Sequence, residues 1–300
     1  MTDPTQDLVR AFEAERPHLF GIAYRMLGSA AEAEDVLQDA FLRFAAHEGE
    51  VANARALLTT IVVRLSLDQL KSARVRRETY VGPWLPEPLV SSAALPPVAS
   101  PDARTELAES LSLAFLVLLE RLSPLERAAF LMREVFEHSF EEVASALGTN
   151  EVACRKLVTR ARAHVDANRP RFTATEAKKN ELLAAFMGAC ASGDPEALGR
   201  VLSADVVARS DGGGKVHAAL KPVFGRDRVV RFLLGVLKKA PPGGVPSIVR
   251  INGAPGVVLC DEAGVLISAL TLSVAGDEIT DVWIVQNPDK LRAPSAGRVS

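Results

Sequence analysis

Several ingredients are scarce in this chain. Three cysteines in 300 residues, Cys154, Cys190 and Cys260, lie far apart within apolar stretches. With no C-x-x-C pair and no Cys/His spacing, neither a disulfide framework nor a zinc site organises the fold, and no metal or other cofactor is expected. Reduced thiols in a cytoplasmic protein are the simplest account. Net charge is nearly absent too: 35 basic residues against 37 acidic ones leave −2. No global basic field can attract nucleic acid, so any such contact has to come from local patches. No apolar run is long enough to cross a bilayer and the N-terminus opens on polar and acidic residues, so no membrane partner is expected. Three hundred residues exceed one typical domain, and two or three compact units are the natural expectation.

What is present is helical patterning with clear start and stop signals. Ser139 with Glu142 forms an S-x-x-E capping box, Val143, Ala144 and Leu147 give one apolar face, and Gly148 ends the run. Asn150 caps a second helix whose Ala153, Cys154, Leu157, Val158 and Ala161 point inward. Asn150, Glu151, Arg155, Lys156, Thr159 and Arg160 are left on the free side. Ser139 to Ala163 therefore reads as a helix-turn-helix whose second helix fits a major groove. A helix pair with a Gly turn and surface cations is also common in all-α proteins, so the segment alone leaves both readings open.

Upstream, apolar residues recur at helical spacing from Leu8 to Leu27, and Gly28 closes the run. Ser29 and Glu32 cap the next helix, which buries Val36, Leu37, Ala40, Phe41 and Phe44 and exposes Glu34, Asp35, Gln38, Asp39 and Arg43. A third helix from Arg55 to about Arg77 has Leu57, Leu58, Ile61, Val62, Leu65 and Leu70 as its buried side. Lys71, Arg74, Arg76 and Arg77 crowd its last turns, which suits both the negative end of the helix dipole and a phosphate-binding patch.

Three stretches, AEDVLQDAFLRF, LTTIVVRLSLDQLKSARVRR and LSPLERAAFLMREVFEHSFEEVASALGTNEVACRKLVTRARAHV, resemble the two domains of bacterial extracytoplasmic-function sigma factors. The resemblance covers about the first half of the chain. It implies that residues 1–77 hold RNA polymerase core and the minus-10 element, and that residues 106–170 place the helix-turn-helix on the minus-35 element. Carried over, Asp35, Gln38, Asp39 and Leu42 fall where the family docks onto the β′ clamp helices. Arg64, Lys71, Arg74, Arg76 and Arg77 fall on the minus-10 helix, and Asn150, Glu151, Arg155, Lys156, Thr159 and Arg160 on the minus-35 helix. One departure is that Leu57 and Val63-Arg64 stand where many members have Trp and an Arg-Asn pair, which leaves the minus-10 base preference open.

Residues 78–105 are rich in Pro, Ser and Ala without helical period and read as an extended, flexible connector between the two DNA-binding units. Within it, Trp84, Leu85, Pro86, Glu87 and Pro88 form a compact cluster of the kind that packs a chain onto a neighbouring domain. Helical spacing resumes at Leu107, and Ser123, Pro124 and Glu126 make a strong helix start.

A further unit, residues 176–291, precedes a short tail, 292–300. Its helices are expected at Lys178–Ala191, after Gly193 and at Arg226–Lys239, followed by the β-rich runs SIVRI, GVVLC, VLISALTLSV and EITDVWIV. Helices followed by a meandering antiparallel sheet give α+β. The segments LLAAFMGACASGDPEALGRVLSADVV and DEITDVWIVQNPDKL resemble SnoaL-like members of the nuclear transport factor 2-like superfamily, which implies a cone-shaped domain around a pocket where a small ligand could bind. Asp205, Asp211 and His217 are the candidate acid-base groups, but no paired constellation is readable from their spacing, and no catalytic residue is assigned.

The fold class expected is thus two all-α domains, the second with a helix-turn-helix, followed by an α+β domain. The combination resembles the SigJ-like group of sigma factors with a fused SnoaL-like domain, on three stretches: WLPEP at 84–88, Asp211, Gly212, Gly213, Gly214 and Lys215, and Asn287, Pro288, Asp289, Lys290 and Leu291. The resemblance implies a built-in regulator. Three glycines between opposite charges suit a loop that docks, and the NPDKL run lies where it could clasp the WLPEP cluster.

Overall fold

The computed structural model describes residues 4–49, 51, 53–91, 110–168, 174–239 and 243–292, without the side chains of residues 4, 5, 7, 73–76 and 78. The second half of the connector and all but the first residue of the tail lie outside the described residues. The chain divides into two compact units, one from Met1–Glu78 with Leu116–Asn168, the other from Thr79–Phe115 with Arg169–Ala293.

The first unit is helical. Helix α1 (Pro4–Leu27) ends at Gly28, whose φ of 69° lies in the left-handed region where glycine is unstrained. Ser29 then caps α2 (Ala30–Ala45) by accepting from the Glu32 amide at 3.2 Å. Helix α3 (Ala54–Glu78) packs across both, burying Leu58, Val62, Val63, Leu65 and Leu70. After α4 (Leu113–Leu119), Ser123 and Glu126 form the reciprocal capping box expected of them, and Pro124 opens α5 (Pro124–Phe130). The helix widens into a π-helical turn at Leu131–Val135, a single-turn feature that apolar periodicity does not register. Helices α6 (Phe140–Leu147) and α7 (Glu151–Asn168) follow.

Polar groups inside this unit are spent on helix ends. Arg127 is 3% exposed. It donates to the Leu119 carbonyl at 3.0 Å, the Met26 carbonyl at 2.6 Å and Glu120 at 2.7 Å. Arg77 donates to the Leu27 carbonyl at 2.6 Å and pairs with the same Glu120 carboxylate. Two guanidiniums thus satisfy the last carbonyls of α1, which have no partner within their own helix. A single carboxylate balances both.

In the second unit α8 (Glu176–Ser192) and α9 (Pro195–Val201) lead directly into β2 (Leu202–Asp211). Strand β3 (Val223–Phe224) and α10 (Arg226–Leu237) come next, then β4 (Val245–Ile251), β5 (Ala254–Cys260), β6 (Leu266–Ala275) and β7 (Glu278–Val285), and α11 (Pro288–Leu291). With β1 (Val90–Ser91) they form one sheet in the order β1-β4-β5-β6-β7-β2-β3. The α+β class stands, but the sheet is mixed rather than a meander, because β2 pairs in parallel with β7. Strand β2 was missed because α9 runs into it with no turn residue, and LSADVVARSD does not alternate cleanly. Leu182, Phe186, Leu198, Val229 and Leu233 are buried together in the core of this unit.

Candidate nucleic-acid interface and linker clasp

The helix-turn-helix is built by local chemistry. Ser139 accepts from the Glu142 amide at 3.1 Å while Glu142 accepts from the Ser139 amide at 2.8 Å, and this backbone bond holds the Glu142 carboxyl below its usual range. Gly148 turns the chain at φ 63°, and Asn150 caps α7 by accepting from the Ala153 amide at 2.9 Å. Cys154, Val158, Ala161 and Val165 are buried, so Cys154 is a core residue. Asn150, Glu151, Arg155, Lys156, Thr159 and Arg160 are all exposed along the other side.

That surface is partly ordered before anything binds it. Arg155 pairs with Glu151 at 2.9 Å and lies over the Phe140 ring, 4.2 Å from its centre. Arg160 pairs with Glu126 at 2.8 Å. Thr159 donates to the Arg155 carbonyl at 2.8 Å, a back-bond that ties up its hydroxyl. Helix α2 presents Asp35, Gln38, Asp39 and Leu42 to solvent, with Leu42 65% exposed although it is a large apolar side chain.

The cations of α3 divide. Lys71 is exposed and pairs with Asp68 at 2.8 Å. Arg64 instead donates to the Ala146 and Ser145 carbonyls at 3.0 and 2.8 Å, capping the C-terminal end of α6. Arg77 turns inward to Glu120 and Leu27. The resemblance implies both on the minus-10 helix; in this structure the carbonyl ends of α6 and α1 hold them, which no spacing rule displays.

In the sheet unit, Asp211 ends β2 with no exposed surface. Its carboxylate accepts four hydrogen bonds: from the Tyr80 hydroxyl at 2.6 Å, the Gly213 amide at 3.0 Å, the Leu85 amide at 2.8 Å and the Lys290 ammonium at 2.7 Å. All of a carboxylate's lone-pair sites are engaged. Lys290 also donates to the Leu85 carbonyl at 2.5 Å and sits 4.2 Å from the Trp84 ring centre and 4.8 Å from that of Tyr80. Asn287 caps α11 and donates to the Tyr80 oxygen at 2.8 Å. Burial, followed by the Asp211 hydrogen bond, pushes the Tyr80 hydroxyl well above its ordinary pKa. At the rim Lys215 meets Asp289 at 2.5 Å, and that bond holds the Asp289 carboxyl low.

The DGGGK, NPDKL and WLPEP stretches therefore meet at one buried polar knot. Residues 79–91 are not a free spacer: Leu85, Pro86, Glu87 and Pro88 are buried, and β1 adds to the edge of β4. Asn252 fixes the same segment further along. It occupies the hairpin turn with Gly253, at φ 53° and 77°. Its side chain accepts from the Leu89 amide and donates to the Leu111 carbonyl, each at 2.9 Å. An Asn-Gly pair between two β-rich runs signals a turn, but neither this role of Asn252 nor that of Tyr80 follows from it. The adjacency of Tyr80 to the WLPEP cluster was the available signal.

Asp205 and His217 are exposed, while Asp211 is buried and saturated with donors, so the three candidate acid-base groups form no constellation. No group of three or more potential ligands that could hold a metal occurs among the described residues, and none of their helices is long and apolar enough to cross a membrane.

Comparison with known proteins completes the picture. Residues 11–76 match the model of sigma-70 region 2 and residues 112–165 that of sigma-70, region 4. The chain is 40% identical over 293 residues to the ECF RNA polymerase sigma factor SigJ of Mycobacterium tuberculosis (strain ATCC 25618 / H37Rv), covering 94% of this chain and 92% of that protein. It is 32% identical over 302 residues to SigI of the same species (strain CDC 1551 / Oshkosh), covering 96% and 97%. The crystal structure of Mycobacterium tuberculosis SigJ superposes with a TM-score of 0.74 at 36% identity, covering 94% of this chain and 97% of that one.

Proposed function

Because this chain belongs to the extracytoplasmic-function RNA polymerase sigma factors, we propose a division of labour among its surfaces that its own residues support. The protein is a promoter-specificity subunit for transcription initiation, not an enzyme. Its partners are RNA polymerase core and promoter DNA. The acidic face of α2 with Leu42 takes the β′ clamp helices. An exposed leucine among carboxylates suits a partner that is basic and apolar at once. Lys71 and the end of α3 follow the minus-10 strand, and α7 reads the minus-35 element.

One observation carries the minus-35 assignment: all six candidate residues lie on the solvent side of a helix whose opposite side is closed core. By their names the two elements lie about twenty-five base pairs apart, roughly 85 Å at ~3.4 Å per pair. Arg64 meanwhile hydrogen-bonds α3 to α6. Reading both elements together therefore requires that this contact open. The clasp on Asp211 then has a regulatory meaning: it fixes residues 79–91, the first part of the connector between the two readers, on the sheet unit.

The test is reconstituted run-off transcription from a promoter selected by the full-length chain with core polymerase. Full-length protein should support promoter-dependent transcripts, and a chain truncated before Asn287 should change their yield. Failure to bind core would end the sigma-factor division of labour. Unchanged transcription after the truncation and after substitution of residues 211–215 would end the regulatory part alone.

A further inference from the structure

Phe140 is the first residue of α6, half-buried, and carries no polar atom that could touch DNA. Its ring nevertheless sits between two guanidiniums, Arg155 at 4.2 Å and Arg133 at 5.0 Å from its centre. Arg133 is anchored by donating to the His138 carbonyl at 2.9 Å. Arg155 is held on one side by the ring and on another by Glu151 through Nη2. Its remaining N–H donors make no hydrogen bond among the described residues and lie on the exposed side of α7.

We propose that Phe140 is a positioning residue for promoter recognition: it holds the Arg155 guanidinium over its ring so that the donor edge faces the minus-35 bases already oriented. The inference rests on the reading that Arg155 contacts DNA, and goes beyond it by naming the group that sets its geometry. An arginine pays rotamer freedom when it binds a guanine O6/N7 pair, and a guanidinium held over a ring has given up much of that freedom beforehand. The ring holds the cation through its π face, which uses none of the N–H donors, so those not on Glu151 stay available for the base. Glu151, one turn earlier on the same helix, adds a second contact through Nη2.

The experiment uses the full chain assembled on core polymerase, with duplexes selected from a pool randomised across the minus-35 region. Arg155→Ala identifies the base pair that Arg155 reads, as the position whose preference disappears. Phe140→Leu should lower affinity for the selected duplex about three-fold, the scale of an exposed cation–π contact, and flatten preference at that same position. Phe140→Tyr, which keeps the π face, should retain both. If Phe140→Leu does not fold, Phe140→Met serves instead. In the Arg155→Ala background the Phe140 change should add nothing. A structural role of Phe140 alone would lower thermal stability without moving base preference. Additive effects of the two changes, or preference unchanged in Phe140→Leu, would overturn the inference while leaving Arg155 as a DNA contact. Unchanged preference in Arg155→Ala would overturn the reading beneath it and the inference with it.

Discussion

Two constellations of similar size and composition sit in this chain under opposite conditions. On α7 the charges stand in water and pair at the surface, whereas the Asp211 carboxylate has no exposed surface and is held by an ammonium, a phenol and two backbone amides. Surface pairs contribute little to stability because water competes for each partner, so Arg155, Lys156 and Arg160 can be given to a ligand at small cost to the fold. The buried set cannot be given away singly, since any member left without its partner carries the full cost of desolvation. The exposed face is thus suited to recognition, and the buried knot to holding a segment in place.

The largest effect should come from Asp211→Ala, which strands Lys290 and Tyr80 and is expected to cost about 3–5 kcal/mol. Both tryptophans, Trp84 and Trp283, lie in the sheet unit, so their fluorescence during denaturant unfolding reports this directly. A loss below ~1 kcal/mol would erase the contrast between the two constellations. Glu120→Gln comes next, at about 2 kcal/mol, because Arg127 keeps its two carbonyl partners while losing its counter-charge. Circular dichroism of the helical unit is the measurement. Asn252→Gly preserves the left-handed turn and removes two side-chain hydrogen bonds, for a loss of about 1–2 kcal/mol. Hydrogen exchange should accelerate at Leu89 if the side chain holds the connector.

A pH series sharpens the contrast within the helical unit. Burial, then the neighbouring Arg55, His138 and Arg25 charges, pull the His18 pKa down to about 4 from 6.5. The folded unit thus holds this ring neutral. The stability it contributes is complete above pH 6.5 and is lost as pH falls from there toward 4. Unfolding midpoints should drop over that window, and His18→Gln should flatten the drop. The smallest change in stability, within ~0.5 kcal/mol, is expected for Lys156→Ala. Its effect appears in DNA binding instead, where the slope of log affinity against log salt should fall by about 0.9.

Both helix-turn-helix caps, the Gly148 stop, the inward set of α7 and the exposed face of α2 were legible, because each depends on residues within a few positions of one another. The WLPEP, DGGGK and NPDKL stretches stood out through the resemblance to the SigJ-like group, but their meeting depends on β2 and β7 running in parallel, and β2 itself was not visible. The partners that Arg64 and Arg77 hold in this structure were not legible for a related reason. Both bond to carbonyls dozens of positions away, at helix ends that only packing brings near.

The sequence by itself determined where helices start and stop, which faces are apolar and which residues are left to solvent, since these follow from backbone capping and side-chain period over three or four residues. Only the tertiary structure decided which polar groups are consumed inside. It turned Asp211 from a candidate acid-base group into the centre of a clasp, and Asn252 from a turn residue into a staple. A hydrogen bond across more than a hundred residues is made by the packing of surfaces, and no local rule of chain conformation anticipates it.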